Sequence, residues 1–401
     1  MSGIVIIGAG QAGSSLAIKL RALGYQGTVT LIGEEPYAPY QRPPLSKTYL
    51  LGEMALERLY LRPEEVYRDQ NIELRLGTQV TAIDPVAQVI SLGAETLSYD
   101  QLALTTGSTP RLLPEAIGGR LQNVFAVRGL ADVDAMRPAF ERGGHVLIIG
   151  GGYIGLEAAA VAAKRGLKVT LVEMADRILQ RVACAETSDY FRALHQSHGV
   201  TLLEGVGLSS LTGTDHVTGA ILSNGATLDI DFALVGVGIQ PNTQLADAAG
   251  LTLNNGIETN ALGQTSQSKI WAAGDCASFP YQGERIRLES VPNAIDQAEV
   301  VAANMLGAQK AYHATPWFWS DQYDVKLQIS GLNQGFENVV TRIGEAGRSH
   351  WYYKAGQVLA VDAMNDPRAY MVAKRLIEAG KTADSALVAD PSSDLKALLR
   401  G

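Results

Sequence analysis

Short apolar runs, broken by glycine, proline and charged residues, set the rhythm of this chain. Residues 4–7, Ile-Val-Ile-Ile, form an apolar, β-branched run that predicts a buried parallel strand. Residues 14–23 then read as a helix and 28–32 as a second strand. The same order returns at 146–149, an apolar strand followed by an alanine-rich helix and a strand at 169–172. Strand, helix and strand in alternation predict parallel sheets with helices on their faces. Two further strands are expected within 74–92, on either side of Asp84-Pro85, and others at 102–105, 201–203, 217–222, 232–237 and 270–273. Residues 294–306 read as a helix following the chain's return to the first sheet. The stretch 36–47 holds four prolines and reads as a loop, too proline-dense for a helix or a central strand.

From Pro316 the pattern changes. Trp317, Phe318, Trp319, Tyr323, Trp351, Tyr352 and Tyr353 cluster there. Short runs at 326–329, 339–343, 350–353 and 358–361 alternate with Gly and Asn turns, which predicts a small antiparallel sheet, and 366–379 reads as a helix. The expected fold class is α/β: two Rossmann-like dinucleotide-binding domains plus a small C-terminal α+β domain. The expected limits are 1–108 and 241–315 for a first nucleotide domain, 109–240 for a second one inserted into it, and 316–401 for the last.

The strand–helix junctions carry the chemistry. Gly8, Gly10 and Gly13 follow the first strand in G-x-G-x-x-G spacing. The first glycine permits a tight turn, the second lets a pyrophosphate approach the backbone, and the third lets helix and strand pack closely. The helix N-terminus then offers N–H groups to the phosphate charge. Glu34 stands about 20 residues further on, where a carboxylate accepts a ribose hydroxyl, and Glu35 competes with it. Gly150, Gly152 and Gly155 repeat the motif, and Glu173 ends the strand that follows. Two dinucleotides are therefore expected, a tightly held flavin and an exchanging nicotinamide. Glu173 would repel a 2′-phosphate, and Arg177, the nearby cation, is not adjacent to it, so NADH is favoured over NADPH. A strand ending at Thr106-Gly107 brings the chain back beside the first nucleotide.

Composition narrows the class without naming it. The 401 residues are 46% hydrophobic and 18% charged, enough for two or three domains with ample core. A formal net charge of −8 argues against nucleic acid as a partner. Only Met1 and Ser2 precede the first strand, and the most apolar stretch, 146–163, contains four glycines and Glu157. A soluble cytoplasmic protein with neither leader nor membrane span is expected. Cys184 and Cys276 form no C-x-x-C pair and read as packing residues. The six histidines show no metal-ligand spacing, so no metal is expected, and His195 and His198 read as exposed helix positions.

Five pieces of sequence carry a resemblance over nearly the whole chain. They are Arg42-Pro43-Pro44-Leu45-Ser46-Lys47, Gly150-Gly151-Gly152-Tyr153-Ile154-Gly155-Leu156-Glu157, Gly274-Asp275-Cys276, Glu289-Ser290-Val291-Pro292-Asn293 and the aromatic segment from Pro316 to Tyr323. In these the chain resembles the FAD-dependent NADH:ferredoxin reductases of bacterial oxygenase systems, especially those serving cytochrome P-450. The resemblance implies the glutathione-reductase-like fold, non-covalent FAD, and NADH as co-substrate. It implies hydride transfer from NADH to FAD and single-electron transfers to a 2Fe-2S ferredoxin, which supplies a cytochrome P-450. It places Lys47 near the flavin, paired with Glu157, where a cation would stabilise the reduced ring. It gives Asp275 the ribityl chain and Val291 the ring border. Ala12, Arg42, Pro44, Val80, Thr106, Gly107 and Arg128 become further FAD contacts, and Tyr153, Ile154 and Gly238 join the NADH site. Trp319, with Trp317 beside it, would lie at the exposed flavin edge where ferredoxin docks.

Other readings stay open within this frame. A reductase for ferredoxin or rubredoxin in a dioxygenase or alkane hydroxylase system differs only in its partner. NADH oxidases and peroxidases of the same fold use a redox cysteine where this chain has Pro44-Leu45-Ser46. Binding flavoproteins resembling apoptosis-inducing factor carry a basic DNA-binding surface. A monomer or weak dimer is expected.

Overall fold

The structure, a computed structural model, describes residues 3–345 and 347–400. The chain divides into two compact units, each gathered from three separate stretches. The first takes the stretch to Arg42, then Ala55–Thr109 and Ile239–Pro316. The second takes Pro43–Met54, Pro110–Gly238 and the stretch from Trp317.

In the first unit the parallel strands run in the order Ile72–Arg75, Val29–Ile32, Gly3–Ile7 and Glu95–Leu104, with Ile270–Ala272 beyond. All five residues of Gly3–Ile7 are buried, as a strand covered on both faces requires. Ile270 pairs with Leu102, so the chain does return to complete the first sheet. Strand Glu95–Leu104 serves three partners, for its second half lies between Gly3–Ile7 and Ile270–Ala272. Its first half pairs antiparallel with Val89–Leu92, and that strand forms a hairpin with Ala82–Asp84 across Asp84-Pro85. Helices Gln11–Ala22 and Val291–Met305 share one core, where Ala17, Ala298 and Ala302 permit close approach.

In the second unit the parallel order is Thr201–Glu204, Lys168–Glu173, His145–Ile149, Phe232–Val235 and Val124–Ala126. A five-stranded antiparallel sheet runs Trp317–Gln322, Val325–Gly331, Gln357–Met364, Arg348–Lys354 and Asn338–Ile343. Helix Pro367–Glu378 packs Val372, Ala373 and Leu376 beneath it, with Trp351 and Val361. Arg342, 7% exposed, ties the C-terminal segment to this sheet. Its guanidinium donates to the carbonyls of Val388 (3.1 Å), Pro391 (3.0 Å) and Ser393 (3.0 Å), among others. Among the described residues no helix is long and apolar enough to cross a membrane.

Several elements depart from the pattern read from sequence. Helix Gln11–Ala22 starts three residues early because Gly10 is its cap. Helix Val291–Met305 starts before its proline. Ser290 caps it by accepting from the Asn293 N–H at 3.2 Å, and Pro292 is tolerated in the first turn. The proline-dense loop gives way to a short irregular helical turn, Leu45–Tyr49, with Pro44 as its cap. Its Tyr49 N–H reaches back to the Pro44 carbonyl at 3.0 Å, a wide turn of the kind often found at functional sites. The aromatic segment is itself an edge strand, Trp317–Gln322, whose mixture of tryptophan and polar residues hid the alternation.

Candidate functional site

Two glycine-rich turns stand at carboxyl ends of parallel strands, one in each unit. Gly8 has φ +112°, and a Cβ there would meet the Thr105 carbonyl oxygen at 2.2 Å. A Cβ on Gly13 would meet the Gly8 carbonyl oxygen at 2.0 Å. Among the described residues nothing lies within 4 Å of a Cβ placed on Gly10, so that residue faces open space. The helix beginning at Gln11 has no acidic residue in its first turn and no side-chain cap among the described residues. This arrangement fits the pyrophosphate of a dinucleotide.

Around that turn the first unit gathers most of its expected residues. The carboxyl ends of strands Gly3–Ile7, Glu95–Leu104 and Ile270–Ala272 bring Gly8, Thr106-Gly107 and Gly274-Asp275 to one edge of the sheet. Gly274, at φ +82°, allows close approach to Ala12, whose Cβ lies 3.0 Å from a Cβ built there. Asp275 accepts from Ser108 Oγ at 3.0 Å. Thr106 is tied to Asn242 by its hydroxyl (2.7 Å) and its carbonyl (2.9 Å). Val80 is buried with Ile7 and Ile32, and Val291 opens its helix half-buried. Glu34 is exposed, whereas Glu35 accepts from Tyr40 Oη and Arg42 Nη2, each at 2.5 Å. Burial acts to lower the Arg42 pKa, but the fields of Tyr40, Glu35 and Asp275 outweigh it and the net shift is upward.

The second turn repeats the geometry. Gly150 has φ +108°, and a Cβ there would meet the Gly236 carbonyl oxygen at 2.4 Å. A Cβ on Gly155 would meet the Gly150 carbonyl oxygen at 2.1 Å, while Gly152 faces open space among the described residues. Helix Tyr153–Lys164 begins there, with Ile154 exposed and Tyr153 half-buried. Burial, then Asp362 and Cys184, push the Tyr153 phenol well up. Glu173 Oε2 accepts the Gly151 N–H at 2.7 Å and Oε1 accepts the Ala175 N–H at 2.8 Å, which holds the carboxylate at the turn. Gly238, at φ +101°, accepts the Arg111 N–H at 2.9 Å. Arg128 leads into helix Leu130–Arg142 and donates its N–H to Asp132 at 2.9 Å.

Within the second unit a third group of polar residues converges. Lys47 Nζ lies 3.0 Å from Glu157 Oε1 and 3.5 Å from Asp321 Oδ2. Ser320 Oγ donates to Glu157 Oε1 at 2.8 Å, and Ser46 Oγ donates to Oε2 at 3.1 Å. Glu157 is 7% exposed. Burial raises its pKa, and Lys47, Ser320 and Ser46 counter only part of that rise. Trp319 and Trp317 lie on the same edge strand with ring centroids 5.5 Å apart, and Lys374 Nζ stands 5.2 Å over the Trp317 ring. Nothing in residue spacing announced Ser46, Ser320 and Asp321 as partners of this pair.

The histidine expectation is corrected in part. His198 is exposed, but His195 is fully buried, because its helix face packs against polar side chains of the C-terminal sheet. Both cysteines are free and buried.

Comparison with known proteins gives the family and the fold. Residues 2–298 match the family described as pyridine nucleotide-disulphide oxidoreductase, and residues 317–399 match the reductase C-terminal family. The chain is 40% identical to putidaredoxin reductase CamA of Pseudomonas putida, over 99% of this chain and 96% of that one. It superposes with a TM-score of 0.95 on the crystal structure of the ferredoxin reductase for the CYP199A2 system from Rhodopseudomonas palustris. Identity there is 40%, with 99% of each chain covered. The covalent putidaredoxin reductase–putidaredoxin complex also gives a TM-score of 0.95, at 39% identity, covering 100% of this chain and 98% of that one. The chain belongs to the pyridine nucleotide-disulphide oxidoreductases, in their putidaredoxin reductase-like group of ferredoxin reductases.

Proposed function

We propose that the chain is an FAD-dependent NADH:ferredoxin reductase feeding a 2Fe-2S ferredoxin of a cytochrome P-450 system in the cytoplasm. The observation that carries the reading is the doubled turn. Four glycines leave no room for a Cβ, at 8, 13, 150 and 155, and one in each turn faces open space. The first turn is assigned to FAD and the second to NADH, within functional domains 1–108 with 241–315, 109–240 and 316–401. FAD, when bound, supplies the chemistry that joins a two-electron donor to a one-electron acceptor.

The chain's residues bind and orient. Gly10 admits the FAD pyrophosphate, Glu34 takes a ribose hydroxyl and Asp275 the ribityl chain. The remaining FAD contacts keep the roles the resemblance implies. Glu173 takes the NADH ribose. Arg177 supports a preference for NADH, because its guanidinium is spent on the Ala183 (2.8 Å) and Cys184 (3.2 Å) carbonyls and the Ser188 hydroxyl (2.5 Å). It is not free to meet a 2′-phosphate. Lys47, held by Glu157, is the cation that balances the charge of reduced flavin, and Trp319 is the contact for ferredoxin.

The purified protein is expected to be yellow, with one non-covalent FAD that NADH bleaches much faster than NADPH. Stopped-flow absorbance separates the two half-reactions. Trp319→Ala should slow ferredoxin reduction by about tenfold or more while bleaching by NADH stays close to wild type. A folded, colourless preparation that takes up no FAD sinks the reading. Equal loss in both halves would reassign Trp319 to holding the fold.

A further inference from the structure

The edge strand Trp317–Gln322 turns alternate residues inward, so Ser320 and Gln322 share a buried face, each 0% exposed. Ser320 Oγ meets Glu157 Oε1 at 2.8 Å, and Gln322 Nε2 meets Ser320 Oγ at 3.1 Å. Gln322 Oε1 lies 2.8 Å from His195 Nε2, and Tyr323 Oη lies 3.2 Å from His195 Nδ1. His195 is also 0% exposed.

The direction of each bond follows from chemistry. An ionised carboxylate only accepts, so Ser320 must donate to Glu157. The Ser320 lone pair is then filled by the Gln322 amide N–H, which turns the amide oxygen to His195. An amide oxygen only accepts, so His195 Nε2 carries the proton and Nδ1 accepts from Tyr323. Every donor from Tyr323 inward points toward Glu157. Such a chain polarises cooperatively in a buried setting.

We propose that His195 is a positioning residue for the Lys47–Glu157 pair, delivering through Gln322 and Ser320 a one-way line of donors that holds the carboxylate charged and facing Lys47. The inference rests on the reading of that pair as part of the redox site. The groups facing Glu157 are Lys47 and Ser46 on the short turn and Ser320 on the edge strand, with Asp321 behind Lys47. Those facing His195 are Gln322 and Tyr323, and His198 stacks on the Tyr323 ring at 3.7 Å. Burial pushes the His195 pKa down to about 4, so the ring stays neutral over the working range.

Loss of the His195 donor frees the Gln322 amide to turn and withdraws one line of support from Glu157. The carboxylate then takes up a proton at higher pH. The test uses the FAD-loaded protein and follows bleaching by NADH from pH 5 to pH 9 (about this range). In His195→Phe the acid limb should move up by about one pH unit, a roughly tenfold loss at the acid end with little change at the alkaline end. His195→Gln, which keeps a side-chain N–H donor, should restore the wild-type profile. If His195→Phe does not fold, Gln322→Leu carries the same expectation. A second readout is independent of turnover: 15N spectra of the histidine-labelled protein should show His195 neutral and protonated at Nε2. Superimposable profiles, an equal fall of both His195 variants at every pH, or an Nδ1-protonated ring would overturn the proposal. Failure of the underlying reading looks different, since Glu157→Gln would then bleach with the wild-type pH profile.

Discussion

Asp362 shows at the scale of one residue how burial writes itself into pH dependence. It is 1% exposed and accepts from Thr187 Oγ1 at 2.7 Å and from the Tyr352 hydroxyl. Burial pushes its pKa from 3.8 up to about 6, with Tyr352 and Thr187 pulling against the shift. Between those values the folded chain holds a proton that the unfolded chain has released. Stability contributed by this group is therefore highest below the unfolded pKa and falls as pH rises toward 6, by on the order of 2 to 3 kcal/mol. Asp362→Asn removes the titration. Thermal melts should show the variant gaining on wild type between pH 4 and pH 7 (roughly the window of the shift); a constant difference would sink this account. Single residues were also where the sequence was least legible. Helix Ala185–Ser197 buries Thr187, Ser188, Phe191 and His195, a stripe mostly polar, so hydrophobic periodicity could not find its inner face. Lys47 and Glu157 lie far apart in the chain and meet only through the fold; the family resemblance pointed to them, and spacing did not.

Among elements, those with strong apolar runs were legible and those stabilised by polar contacts were not. Strands Gly3–Ile7 and His145–Ile149 follow from composition alone, and the glycines after them follow from the turns they make. The short turn Leu45–Tyr49 depends on a wide backbone bond, and the edge strand Trp317–Gln322 on buried serine and glutamine. The segment from Val388 to Ser393 is no more legible, for it is tied down through Arg342 on a strand whose pattern is ordinary. Arg342→Met keeps the length of the stem but leaves the buried Val388 carbonyl and three partly buried ones without their donor. A loss of about 2 to 4 kcal/mol is expected, with faster hydrogen exchange in Ser385–Ala389. Arg342→Lys should rescue little, because an ammonium cannot fan out to carbonyls as a planar fork does. Unchanged exchange in that segment would show that the clasp does not hold it.

At the scale of the whole molecule, the doubled fingerprint made the two parallel sheets legible, and so did the apolar run that returns at Ile270–Ala272 to the first of them. The excursion of Pro43–Met54 into the second unit was not, since no composition shift marks its ends. Each unit is thus assembled from three pieces of chain, and the pieces alternate. That alternation sets an order on the ribosome. The first unit cannot close its sheet until Ile270–Ala272 has left the exit tunnel, nor cover it until Val291–Met305 has followed. The second has all strands of its parallel sheet once Phe232–Val235 is made, but waits for its antiparallel sheet almost to the end of translation. A protein usually expected to fold from its N-terminus is here obliged to keep its first strands exposed while most of the message is read. Chains stalled at residue 240 should be digested throughout their first hundred or so residues, and protection should begin only once residue 316 is out. Protease resistance in the shorter chain would mean that the early strands find temporary partners, and holding chaperones would then have less to shield.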